Sequence, residues 1–357
     1  MSEIRKHYFL PEYCIIAEER AKRPSDFAGA AGGSEKSAPE NCVFCGGNEE
    51  KTPPATAVYK NGEVFADTGE NRVHDWDFRC FPNLYPALSP APSPAPSPAP
   101  SPAPSPAPSP APSPALSPAP PSPRFHGKDL EVFQGSGFHE VIVESPVHGK
   151  NLKDFSDTEI SGLMRVYKDR VCHYAAHEKI LYVSLFKNSG KAAGASQDHP
   201  HSQLIALPVC PPILEKELKA IREGEKCPYC VLLETEKASS RLIHENNKFV
   251  AFAPYYSIGP FEVWILPKEH ISFLGDFSPE LLFALGEILR TVLRSYAKVF
   301  GNMPYNHMFY QLFETPEYHL NLRLLPRIST TAGFELNTGI YINTVSPEKA
   351  ASYLRGG

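Results

Sequence analysis

The densest run of chemistry-bearing residues is Asn188-Ser-Gly-Lys-Ala-Ala-Gly-Ala-Ser196-Gln-Asp-His199-Pro-His201-Ser-Gln203. Glycines carry no Cβ, so the backbone N–H groups of such a loop can close on an anion. Lys191, Ser189 and Ser196 add a positive charge and hydroxyl donors. In an extended segment, residues 199, 201 and 203 share one face by the two-residue period. Two imidazoles and an amide then converge beside a phosphate-sized site. A neutral imidazole, with a pKa of about 6.5, is a competent nucleophile at neutral pH. Attack on a phosphoryl centre would form a phosphorus–nitrogen intermediate and split one displacement into two. A backbone carbonyl accepting the Nδ1 proton would aim Nε2 of His201 at the phosphorus. The Gln203 amide would donate to a non-bridging oxygen without titrating. Two plainer readings stand beside this one: the histidines cap a sheet face, or both bind metal.

A second chemistry is written in the cysteines. Four of the eight form C-x-x-C pairs, Cys42/Cys45 and Cys227/Cys230. Each pair can place two thiolates on one ion, and a tetrahedral Zn²⁺ then needs two more ligands, commonly imidazoles. His148 and His199 are the candidates for the first pair, and His270 and His319 take the equivalent order for the second. Such sites would be structural, with ligands that come together only in the folded state. Cys227-Pro-Tyr-Cys230 also has the sequence of a redox centre, and plain core cysteines are the third possibility.

The elements that must position these residues come in two similar sets. Glu140-Val-Ile-Val-Glu144 and Phe261-Glu-Val-Trp-Ile-Leu266 are rich in β-branched and aromatic residues and predict strands. Asp157 to Ala176 and Pro279 to Phe300 carry apolar residues at helical spacing, with Ser156 and Ser278 as N-caps. Aligning Glu140 with Glu262 places His148 on His270, and Asp154-Phe155-Ser156 on Asp276-Phe277-Ser278, without a gap. The repeated order of Cys pair, strand, His, cap, helix and His-bearing strand predicts an internal duplication of an α+β module. The halves are expected at residues 1–208 and 209–357.

A Ser-Pro-Ala-Pro tract at 88–123 interrupts the first half and holds about half of the 38 prolines. With few backbone donors and little apolar bulk it favours polyproline II. It is either a tolerated surface loop or a docking site for a proline-recognising partner. Elsewhere the composition is that of an ordinary globular enzyme. A length of 357 residues with 42% hydrophobic content leaves room for two or three domains. The net charge of −5 argues against a nucleic-acid binder. No apolar run approaches the ~20 residues of a membrane span, and Met1 to Phe27 lacks an apolar signal core. A soluble cytoplasmic protein, with neither nucleic acid nor membrane as partner, is the expectation.

His199-Pro-His201-Ser-Gln203, with Asn188 and Ser196 upstream, closely resembles the active-site strand of the galactose-1-phosphate uridylyltransferases, in the nucleotidyl-transferring branch of the histidine-triad superfamily. The resemblance runs from Arg20-Ala-Lys-Arg23-Pro through Cys42-Val-Phe-Cys45, Phe81-Pro-Asn83-Leu-Tyr85 and Ser145-Pro-Val-His148 to Gly333-Phe-Glu335. It implies two related α+β halves, each a mainly antiparallel sheet with flanking helices, commonly paired as a homodimer. It implies His201 as the nucleophile, with Gln203 and Ser196 holding the phosphoryl group. Phe44, Asn83, Tyr85 and Asn188 would line the nucleotide pocket, Arg20 and Arg23 would lie near the phosphates, and Glu335 would contact the hexose. Cys42, Cys45, His148 and His199 would bind zinc. The second half would be scaffold, in contact with substrate.

The reaction implied is ping-pong: a nucleotide sugar, UDP-glucose, loads His201, and a sugar 1-phosphate, galactose 1-phosphate, takes the uridylyl group. The set Cys227, Cys230, His270 and His319 departs from the bacterial type toward a plant-type subgroup. Some members of that subgroup are ADP-glucose phosphorylases, which pass adenylyl to phosphate. A third possibility is a zinc-dependent nucleotide-binding scaffold without turnover.

Overall fold

The structure, a computed structural model, describes residues 2–16, 41–68, 70–90 and 135–356. Arg20, Arg23 and nearly all of the 88–123 tract lie outside the described residues.

A hairpin, β1 (Glu3–Lys6) and β2 (Tyr13–Ile16), opens the chain. Five strands and one long helix follow: β3 (Ala57–Lys60), β4 (Glu63–Phe65), β5 (Phe78–Pro82), β6 (Phe138–Val143), α1 (Asp157–Ala175) and β7 (Tyr182–Ser189). The strand β8 (His201–Leu207) completes this set. Two shorter helices, α2 (Pro212–Arg222) and α3 (Pro228–Lys237), lead into β9 (Leu242–Glu245), β10 (Phe249–Phe252) and β11 (Val263–Pro267). The long helix α4 (Pro279–Phe300) precedes β12 (Tyr305–Tyr310) and β13 (Asn321–Pro326). The chain finishes with α5 (Gly333–Thr338), β14 (Tyr341–Asn343) and α6 (Pro347–Arg355). The fold is α+β. Among the described residues, no helix is long and apolar enough to cross a membrane.

Eleven strands form one antiparallel sheet in the order β4-β3-β5-β6-β8-β7-β12-β13-β11-β10-β9. Outward from the β7–β12 contact, the strands of each half follow the same succession. The halves therefore meet edge to edge, with Asn306 opposite Asn188 and His307 opposite Lys187. Both long helices lie on one face of this sheet and share a continuous core that includes Leu163, Tyr167, Leu285 and Leu289. Their starts follow from local chemistry. Ser156 accepts the Glu159 N–H while the Glu159 carboxylate accepts the Ser156 N–H, and Ser278 accepts the Leu281 N–H.

The duplication is real, but the gapless alignment of its strands is off by one residue. Glu140 faces α1, where its carboxylate accepts from Arg170 and Tyr174. Glu262 faces the opposite side and accepts from Trp264 Nε1. The core confirms this, because Ile142 packs in the same helix-facing cluster as Val263 and Ile265. A one-residue difference in the turn before His270 restores the spacing of the histidines. A period of two turns one such residue into a flipped face.

The Pro-rich segment leaves and re-enters between β5 and β6, which pair directly, Arg79 opposite Val143. Its flanks are clamped, since Gly137 N–H donates to Ser89 O at 2.9 Å. Gly137 is required there because a Cβ would collide with Ala206 O and with Leu88.

Candidate active site and metal centres

The site is built on the sheet face away from the long helices. His201, on β8, is buried. Its Nδ1–H donates to His199 O at 2.9 Å, so the lone pair sits on Nε2. Burial, reinforced by the Lys187 ammonium, lowers its pKa below the ordinary imidazole value, so the ring is neutral at neutral pH. Phe44 packs edge-on against it at 5.3 Å and also touches Phe81.

Beneath the strand lies a buried polar network to which the sequence motifs assign no role. Lys187 Nζ donates to Glu144 Oε2 at 2.6 Å and to His201 O at 3.1 Å. Ser202 and Tyr167 hydroxyls donate to the same carboxylate. Burial works against the Glu144 charge, but Lys187 and Ser202 outweigh it and hold the pKa below the usual carboxylate range. Fully paired networks of this kind fix one backbone geometry, here that of the strand that carries His201.

Gln203 follows His201 on the same face, and its Oε1 lies 2.9 Å from His139 Nε2. Asn83 joins this group with its Nδ2 3.2 Å from the same nitrogen, and its Oδ1 accepts the Tyr85 N–H. Tyr85 itself is 85% exposed. Asn188 Oδ1 accepts from Asn306 Nδ2 at 2.8 Å, which leaves the Asn188 NH₂ turned toward the Gly194 loop. Asn306 belongs to the second half and also donates to Ala193 O. Ser196 lies exposed on the loop before β8. Glu335 is not drawn into the cluster: its carboxylate accepts the Ala332 N–H at the start of α5. His139, Glu144, Lys187 and Asn306 come from distant strands, and only their register across the sheet could have marked them.

Two sets of four candidate ligands come together as the sequence spacing predicts. Cys42, Cys45, His148 and His199 converge with all ligand atoms within 4.8 Å of one another, as do Cys227, Cys230, His270 and His319. The S···N separations are 3.4 and 3.5 Å in the first set and 3.3 to 3.9 Å in the second. A tetrahedral ion at ordinary metal–ligand lengths has S···N edges of about 3.5 Å. The Nε2–H groups of His199, His270 and His319 donate to Ser145 O, Pro316 O and Pro267 O, so each presents its Nδ1 lone pair to the cluster. Burial lowers His199 and His319 to about 4, which keeps both neutral as ligands must be. Both sets therefore fit a metal ion. Cys227 does cap the N-terminus of α3, as a redox motif would. Burial and the neighbouring thiol push Cys230 up to about 12, opposite to the activation that redox chemistry needs.

Among the described residues, only the first half has an imidazole at the His201 position. His319 occupies the position of His199, so Asn321 takes the place of His201 and Arg323 that of Gln203. Arg323 is pinned between the Tyr310 and Trp264 rings, 3.9 and 4.2 Å from their centroids, and donates to Glu217 and Asn321.

Comparison with known proteins agrees with this geometry. Residues 114–211 match the model of the galactose-1-phosphate uridyl transferase N-terminal domain, and residues 168–354 match a domain of unknown function, DUF4921. An ADP-glucose phosphorylase of Arabidopsis thaliana is 34% identical over 99% of this chain and 92% of its own length. A galactose-1-phosphate uridylyltransferase of Thermotoga maritima is 34% identical over 62% of this chain and 74% of its own. The chain belongs to the galactose-1-phosphate uridylyltransferase family. The crystal structure of an Arabidopsis thaliana ADP-glucose phosphorylase with bound ADP-glucose superposes at a TM-score of 0.75, with 30% identity, covering 100% of this chain and 99% of that one. Within this nucleotidyltransferase family the likeness extends to the plant-type subgroup, and it spans both halves.

Proposed function

We propose that the protein is an ADP-glucose phosphorylase working through a covalent adenylyl-His201. His201 Nε2 attacks the α-phosphorus of ADP-glucose, the bond from that phosphorus to the bridging oxygen breaks, and glucose 1-phosphate leaves. An oxygen of inorganic phosphate then attacks the same phosphorus, the phosphorus–nitrogen bond breaks, and ADP departs. Glucose 1-phosphate is a good leaving group, so little general-acid help is needed. The observation that carries the covalent step is the His201 Nδ1–H bond to His199 O, which leaves a neutral Nε2 as the free nucleophilic atom. Gln203, Ser196, Asn83, Asn188, Tyr85 and Phe44 would bind the phosphates and nucleoside. The likeness to a phosphorylase along the whole chain supports ADP-glucose and phosphate as donor and acceptor.

The donor set of two thiols and two imidazoles at each centre suits structural Zn²⁺, a cross-link that draws off the thiol protons and closes the fold. Eight free cysteines suit a reducing compartment, so the cytoplasm is the proposed location. A homodimer, and domains divided after residue 208, complete the proposal.

A second reading is uridylyl transfer between UDP-glucose and galactose 1-phosphate, favoured by the N-terminal-domain match and the Thermotoga maritima relative. The test is to load the protein with donor labelled at the α-phosphate, remove excess donor, and offer each acceptor. Release of labelled ADP by inorganic phosphate is the expected result. Discharge of a uridylyl label by galactose 1-phosphate alone would establish the second reading. Absence of loading by either donor would leave a nucleotide-binding scaffold without turnover.

A further inference from the structure

An amide side chain can meet a phosphoryl oxygen with either end, and only the NH₂ end helps. Gln203 therefore needs something to choose its orientation. His139 stands on β6 diagonally across from it, since Val141 is the residue directly opposite Gln203. The Ala87 backbone N–H points at His139 Nδ1 at 3.1 Å. A backbone amide can only donate, so Nδ1 carries the lone pair and the neutral ring bears its hydrogen on Nε2. That Nε2–H faces Gln203 Oε1 at 2.9 Å, and the longer 3.2 Å approach of Asn83 Nδ2 to the same nitrogen is then a contact between two donors, not a hydrogen bond. The oxygen is thereby turned toward His139, and the Gln203 NH₂ is turned away, with no acceptor among the described residues. The ring is held from the other side as well, because the Asn83 N–H donates to His139 O at 2.8 Å.

We infer that His139 is a positioning residue that fixes the Gln203 amide with its NH₂ toward the phosphoryl group being transferred. This rests on the nucleotidyl-transfer reading, and it adds a residue outside the His-x-His-x-Gln motif. The segment Asn83 to Ala87 gains a role as well: its backbone sets the tautomer of the ring that sets the amide. With the opposite tautomer, Gln203 would be free to turn its oxygen toward the phosphate oxygens, exchanging an attraction for a repulsion.

Two measurements test it. Long-range ¹H–¹⁵N correlation spectra of the resting, histidine-labelled protein report the His139 tautomer without turnover. The Nε2–H form is expected. The Nδ1–H form, with Nε2 accepting from Asn83, would overturn the inference. The second measurement is the single-turnover rate of His201 loading in His139→Asn, His139→Gln, Gln203→Ala and the double variant His139→Asn/Gln203→Ala. Asn is too short to reach Gln203, whereas Gln places an N–H near the position of Nε2. His139→Asn should slow loading roughly 10- to 100-fold with donor affinity within about threefold, and His139→Gln should recover most of the rate. In the Gln203→Ala background the same His139→Asn change should cost less than about twofold. Equal losses in both backgrounds would show that His139 does not act through Gln203. If the wild-type protein never loads, the nucleotidyl-transfer reading fails while the tautomer result still stands by itself.

Discussion

His307 shows how strictly the centre of this molecule is constrained. It lies opposite Lys187 at the seam of the halves, fully buried, with neither ring nitrogen hydrogen-bonded among the described residues. Burial, with Lys187 nearby, lowers its pKa to about 3. The folded protein therefore excludes a proton that the unfolded chain takes up below about pH 6.5. Stability contributed by the neutral ring is present above that pH. It is lost as pH falls toward 3, at up to about 1.4 kcal/mol per pH unit. His307→Leu should flatten the acid-side dependence of unfolding free energy by close to one proton, measured by urea titrations between about pH 6 and 4.5. An unchanged slope would mean that the ring is protonated inside the fold. At this scale the sequence marked the residues of compact motifs, such as His201 and Gln203, and the eight Cys and His residues that come together in two clusters. It was silent on His139, Lys187, Glu144 and Asn306, whose partners lie on other strands and helices or across the seam.

Elements are where periodicity served best and register served worst. The two long helices begin at the serines that local capping chemistry selects, and Asp154-Phe155-Ser156 and Asp276-Phe277-Ser278 occupy equivalent turns. Composition predicts β6 and β11 as strands, yet pairing Glu140 with Glu262 puts a helix-facing residue on one that faces the other side. Both faces of these strands are buried, so no polar alternation marked the difference. The proline-rich segment interrupts a hairpin whose arms pair on their own, and the Ser89–Gly137 bond closes its base. Removal of Ala91 to Pro120 should therefore leave loading and discharge rates within about twofold. Shortening the loop should raise stability by about 1 kcal/mol through its closure entropy. A large fall in rate on stopped-flow analysis would assign the tract a part in the reaction.

The eleven-stranded sheet is made from two copies of a module that differ at the position of His201. Each keeps a Cys/His cluster that could hold a metal, but one has an imidazole where the other has Asn321, and Arg323 with its Glu217 partner fills the second face. The metal centres should differ in consequence. On the proposed reading His199 would be a ligand of the first centre, and its carbonyl accepts from His201, so Cys45→Ala should lose one metal equivalent and most of the loading rate. Cys230→Ala should also lose one equivalent and lower Tm, with the loading rate of the folded protein largely kept; elemental analysis and single-turnover kinetics check both. Equal effects on rate would contradict the division of labour. The central claim, that the chain carries its nucleotide on one ring, is read most directly by intact-protein mass spectrometry after a base quench during turnover with ADP-glucose. The wild-type protein should gain the mass of a single adenylyl group, mapped to His201, and His201→Gly should bind the donor yet gain nothing. A loaded His201→Gly, or wild-type protein that turns over without ever gaining mass, would contradict it.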